Sequence, residues 1–100
     1  MSRARFIAAA RLEYLAEVIY YSEAETSLGV RFAAAVEEAA ARALAFPLSG
    51  SPYRSDIRRV LVYGFPFSLV YRPEATGIVI FAVAHHARRP HYWQSRVRSR

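Results

Sequence analysis

Apolar and polar positions change their period several times along the chain. Ala4 to Ile7 is short and apolar with an alternating arginine, the pattern of an edge strand. From Ala8 the spacing becomes helical: Ala8, Leu12, Leu15, Ala16 and Ile19 share one stripe, while Glu13 and Glu17 lie four apart on another face. This predicts a helix of roughly four turns ending near Ser22 to Ala24. Thr26 or Ser27 is placed to cap a second helix. Its expected core side is Leu28, Phe32, Val36, Ala39, Ala43 and Phe46, with Arg31, Glu37, Glu38 and Arg42 outward. The many alanines permit close approach, so the two helices are expected to form an antiparallel hairpin.

Pro47 stops the second helix, and Leu48 to Asp56, with Gly50 and Pro52, reads as loop. The period then drops to that of strands: Arg58 to Tyr63, Phe65 to Arg72, and Ile78 to Ala84. Gly64 and the run Pro73 to Gly77 supply the turns, and Pro66 sits early in its strand, where a missing N–H matters least. The third of these strands is apolar on both faces, which suggests a central position. His86 to Arg100 has no clear period. The order β-α-α-β-β-β predicts an α+β domain over residues 1–100: an antiparallel meander sheet with an α-helical hairpin packed on one face.

Composition narrows the chemistry. One hundred residues allow one modest core, and 54% hydrophobic residues argue against disorder. The absence of cysteine excludes disulfides, thiolate metal sites and cysteine nucleophiles. No apolar run approaches the ~20 residues of a membrane span, and Met1 to Arg11 lacks a signal-peptide stretch, so the expectation is a cytoplasmic protein with no membrane partner.

All fourteen basic residues are arginine. Residues 1–53 hold five of them with six glutamates, whereas residues 54–100 hold nine against only Asp56 and Glu74. The net charge of +6 therefore belongs to the second half, which suggests a face that meets something anionic. An arginine-favouring codon bias explains the lack of lysine but not where the acids stay.

The densest stretch runs from His85 to Arg96. His85, His86, His91, Arg88, Arg89, Arg96, Tyr92 and the only tryptophan, Trp93, fall within twelve residues just past an apolar strand. Guanidinium groups bind phosphates or carboxylates through a planar fork, and imidazoles exchange protons near neutral pH. The competing reading is structural: Tyr92 and Trp93 close the end of the core while Arg88 or Arg89 pairs with a helix glutamate. Arg58 and Arg59 point to opposite sides of their strand, and Arg59 joins the same basic surface if it shares the helix-free face with the tail. The three histidines match no established metal spacing, no glycine-rich phosphate loop is present, and the lone aspartate has no evident place in a triad. No cofactor is expected.

Taken together, Arg58-Arg59-Val-Leu-Val-Tyr-Gly-Phe-Pro-Phe-Ser-Leu-Val-Tyr71, Ile78 to His85, and Arg88-Arg89-Pro90-His91-Tyr92-Trp93 with Arg96 resemble the RelE/ParE superfamily of type II toxins, the plasmid-stabilisation type. Ala10 to Tyr21 looks like the family's first helix, Ser27 to Phe32 like the start of its second, and Phe46-Pro47 like its end. The resemblance implies a growth-inhibiting toxin neutralised by a small cognate antitoxin, with operator DNA reached only through that antitoxin. RelE-type members cut mRNA on the ribosome. Carried over by position, their catalytic set is Arg59, Arg88, Arg89, His91 and Tyr92, with His85 as a further proton carrier. ParE-type members inhibit DNA gyrase by binding and need no catalytic set. For binding a target or the antitoxin, the candidates are Arg58, Arg59, Arg89, Trp93 and Arg96. The missing lysines and the long hairpin favour the ParE-type reading, because arginine is a poor general acid. A basic interaction module without toxicity is the third reading.

Overall fold

A computed structural model describes residues 2–54 and 56–98. Its elements are β1 (Arg3–Phe6), α1 (Ala8–Ala24), α2 (Thr26–Ala45), β2 (Ser51–Arg54), β3 (Ile57–Val62), β4 (Phe67–Glu74), β5 (Gly77–His85) and α3 (Gln94–Arg98). The five strands form one sheet in the order β1-β5-β4-β3-β2. The expected α+β class holds, with the helical hairpin on one face, but the sheet is not a pure meander. β3, β4 and β5 are antiparallel neighbours, whereas β1 pairs in parallel with β5, Arg3 opposite Gly77 and Phe6 opposite Ile80. That pairing makes β5 an internal strand, as its apolar faces require. Gly77 has φ 139°, and a Cβ there would overlap the Arg3 carbonyl oxygen, so this crossing needs glycine.

The stripe expected to bury α1 faces outward. Leu12, Leu15 and Ile19 are 67%, 44% and 58% exposed. The buried side is Ala10 with Tyr14, Val18 and Tyr21, also at helical spacing. Two tyrosine rings outcompete the aliphatic stripe because they reach an aromatic cluster. Tyr14 stacks on Phe32, and Tyr21 meets Phe32 and Phe65 at 5.1 Å. In α2 the expected Phe32, Val36, Ala39 and Ala43 are buried, while Phe46 lies past the helix end and is exposed. The N-cap is Glu25, one residue before the expected Thr26 or Ser27, and the Ser27 hydroxyl donates to its carboxylate at 2.8 Å.

Two elements were not expected. β2 lies in the predicted loop, because a four-residue edge strand tolerates Pro52 and an irregular register. α3 is a single short turn of helix in the arginine-rich tail. A register shift where Val70 pairs with Ala82 and Tyr71 with Ile80 puts Phe81 in a bulge. Phe81 and Ala82 then both serve a second small core on the helix-free face, with Ile57, Val70, Val79 and Trp93. The outer edge of β3 is closed by Arg42 of α2. Its Nη2 donates to the Leu61 carbonyl at 2.8 Å while Nε pairs with Glu38, also at 2.8 Å. The same guanidinium lies 3.8 Å from the centre of the Tyr63 ring.

Candidate functional site

Strand alternation sorts the two neighbouring arginines of β3. Arg58 pairs opposite Tyr71 and Arg59 opposite Val70, so they leave the sheet on opposite faces. Arg58 faces the hairpin side and is half-buried. Its Nη1 donates to the carbonyls of Leu48 and Gly50 at 3.0 and 2.8 Å, while the Tyr71 hydroxyl donates to Pro47 O at 2.7 Å. Arg58 therefore pins a loop rather than joining the tail. Arg59 does share the helix-free face with the tail, exposed, its guanidinium 5.2 Å from the centre of the Tyr53 ring.

The tail is held by Glu13, which lies off the expected apolar stripe of α1. The Val83 N–H donates to Oε1 at 3.0 Å, and the Tyr92 hydroxyl donates to Oε2 at 2.7 Å. Arg96 donates through Nη1 to Oε1 and through Nη2 to Oε2, both at 3.0 Å, and also through Nη1 to Phe81 O. A half-buried carboxylate thus accepts four hydrogen bonds, two of them from a bidentate guanidinium. Burial, and then the hydrogen bond to the Glu13 carboxylate, push the acidity of the Tyr92 hydroxyl far below that of an ordinary tyrosine. The structural pairing anticipated for Arg88 or Arg89 is made by Arg96.

Trp93, a candidate contact residue, is 3% exposed and belongs to the second core. Tyr53 meets it edge-on at 5.3 Å and meets His91 at 4.8 Å, with the Tyr53 hydroxyl 3.3 Å from His91 Nε2. His91 has φ 64°, in the left-handed region. His85 leaves β5 toward the hairpin side, its ring edge-on to Phe67 at 4.9 Å, and its Nδ1 accepts from the Ala87 N–H. His86 turns back over the sheet, with Nε2 2.9 Å from the hydroxyl of Ser68. Arg88 lies 3.9 Å from the centre of the Tyr92 ring, and Arg89 is exposed.

Two depressions mark this face. One of about 160 Å³ is lined by Arg59, Tyr53, Arg88, Arg89, His91 and neighbouring tail residues. A broader one of about 610 Å³ runs toward Arg42, Leu61 and Tyr63. Among the described residues, no carboxylate lines either. Among the described residues Arg59, Arg88 and Arg89 have no ion-pair partner, so their charge is left for an external anion. No three His, Asp or Glu side chains among the described residues are grouped to hold a metal ion, and no helix is long and apolar enough to cross a membrane.

The family model described as "ParE toxin of type II toxin-antitoxin system, parDE" matches residues 7–90. The chain belongs to the ParE toxin family. No curated protein matches it. As a ParE-family toxin of a type II system, it has a cognate antitoxin as partner. The match takes in Glu13 and the β3–β5 sheet and stops at Pro90, before Tyr92, Trp93 and Arg96. In this ParE-family chain, Arg59, His85, Arg88, Arg89, His91 and Tyr92 come together at one depression. Arg58 and Arg96 do not line it, and Trp93 lies beneath it as core. Sequence reasoning passed over Glu13, Tyr53 and Ser68. For Glu13 a signal existed in its neighbour Tyr14, which turns that side of α1 toward the sheet; for Ser68 it was a lone hydroxyl in a strand of large apolar residues.

Proposed function

We propose that this toxin acts by binding DNA gyrase rather than by cutting RNA, and that an acidic segment of the antitoxin neutralises it by covering the helix-free face. The observation that carries this reading is the Tyr92–Glu13–Arg96 cluster. RNA cleavage requires groups free to give and take protons at the scissile phosphate. The Tyr92 hydroxyl is committed to Glu13 and resists deprotonation, and both Nη atoms of Arg96 are engaged by the same carboxylate. The cations at the depression are Arg59, Arg88 and Arg89, and a guanidinium makes a poor general acid. A surface rich in guanidinium whose Tyr92 and Arg96 are already committed to Glu13 is better suited to recognition than to catalysis. The same surplus charge suits an acidic antitoxin segment that orders as it binds.

The alternative, a ribosome-dependent mRNA endoribonuclease, draws support from His91 and three arginines at one depression. Reconstitution separates the two. Purified protein is added to gyrase supercoiling reactions and, in parallel, to translating ribosomes loaded with mRNA. Inhibited supercoiling with intact mRNA is expected; cleaved mRNA with normal supercoiling would replace this reading with the endoribonuclease.

A further inference from the structure

We infer that Arg59, Ser68 and His86 form a binding site for a phosphate group carried on a small molecule, at the wall shared by the two depressions of the helix-free face. These three residues are common to both linings. The inference goes beyond gyrase binding and does not rest on it.

Ser68 is the observation that starts the argument. It is 4% exposed in a strand whose neighbours Phe67, Leu69, Val70 and Tyr71 are all buried and apolar or aromatic. A hydroxyl in such a place needs a polar partner, and its partner is the imidazole of His86 at 2.9 Å. The His86 backbone is fixed in turn, its N–H donating to Pro66 O at 2.9 Å. With the proton on Nε2, the imidazole donates to Ser68 Oγ and leaves the hydroxyl proton to point into the depression. Arg59 supplies the charge. Its guanidinium has no ion-pair partner among the described residues and is steadied by the Tyr53 ring.

A guanidinium fork beside a hydroxyl that an imidazole orients, with no carboxylate among the described lining residues, suits an anion with several acceptor oxygens. A phosphate monoester brings up to two negative charges and three acceptor oxygens, and so answers an uncompensated guanidinium beside a hydroxyl more fully than a singly charged carboxylate does. The opening on each side leaves room for whatever the phosphate is attached to, so inorganic phosphate and a nucleoside monophosphate share the same chemistry here.

The test is calorimetric and NMR titration of the full chain with inorganic phosphate, and separately with AMP, with ionic strength held constant by chloride. Saturable one-site binding with shifts at Ser68 and His86 is expected. His86→Ala and Arg59→Gln are each expected to weaken it about tenfold or more. Arg31→Gln, an exposed arginine of α2, is expected to leave it unchanged, and circular dichroism checks that each variant is folded. AMP binding tighter than phosphate supports the site with a nucleotide as ligand; equal binding supports it with phosphate alone. Titration that never saturates, or binding that survives both His86→Ala and Arg59→Gln, would overturn the assignment.

Discussion

Arg96 and Glu13 are joined by two parallel hydrogen bonds of 3.0 Å that tie the end of the chain to its first helix. Both side chains are about four-fifths buried, and removing either leaves the other without its main partner. Arg96→Met is expected to cost about 2–4 kcal/mol, below the full figure for a wholly buried pair because some solvent remains. Urea melts of Arg96→Met, Glu13→Gln and the double variant give the coupling. Additive losses would show that the two residues act independently.

Trp93→Ala is expected to lose about 3–5 kcal/mol, because the ring fills the second core against Ile57, Val70 and Val79. The wild-type tryptophan emission is expected to be blue-shifted, as for a ring out of water. A red emission maximum, or a loss within experimental error of zero, would place the ring at the surface instead.

The exposed stripe of α1 gives the opposite expectation. Leu12→Gln is expected to change stability by no more than about 0.5 kcal/mol. Tyr14→Ala, on the buried side of the same helix, is expected to lose about 3–5 kcal/mol through its contacts with Phe6 and Phe32. Equal losses would mean that both sides of α1 are covered.

High pH is expected to weaken the fold. Burial raises the pKa of Tyr14, Tyr21 and Tyr71, and burial with Glu13 raises that of Tyr92 furthest. A group whose pKa is raised by folding contributes stability that is fully present below its unfolded value, near pH 10, and is lost as pH climbs toward its folded one. Denaturation midpoints measured from pH 8 upward are expected to hold until about pH 10 and then fall. The fall is expected to be shallower in Tyr92→Phe, and an unchanged slope would show that Tyr92 is solvated.

Gly77→Ala is expected to destabilise by several kcal/mol, since φ 139° and the Arg3 carbonyl both exclude a side chain. A thermal melt is sufficient to measure it.

Much of this fold is written in periodicity, and the exceptions have physical causes. The two long helices, the three long strands and the buried side of α2 follow from spacing alone. α1 misled because leucine and isoleucine outrank tyrosine on any hydropathy scale, yet the tyrosine rings had an aromatic cluster to enter and the aliphatic residues had none. β2 and α3 are too short to carry a period, and the parallel partner of β1 depends on a crossover that no local pattern encodes. The site was legible as a cluster but not as roles. Which of His85, His86 and His91 faces which side is decided by strand parity and a turn, and Arg96 looked like any other tail arginine until Glu13 was beside it.

The parallel pairing of β1 with β5 also bears on the order in which the fold is completed. Arg3 must meet Gly77, and Glu13 must meet Arg96, so the contacts that close the sheet and seat its basic tail link the opening residues to some of the last. Contacts so far apart in sequence form late, and a chain still emerging from the ribosome holds the helical hairpin but not the finished surface. The basic face is therefore among the last parts of the molecule to be finished, and the helical hairpin among the first.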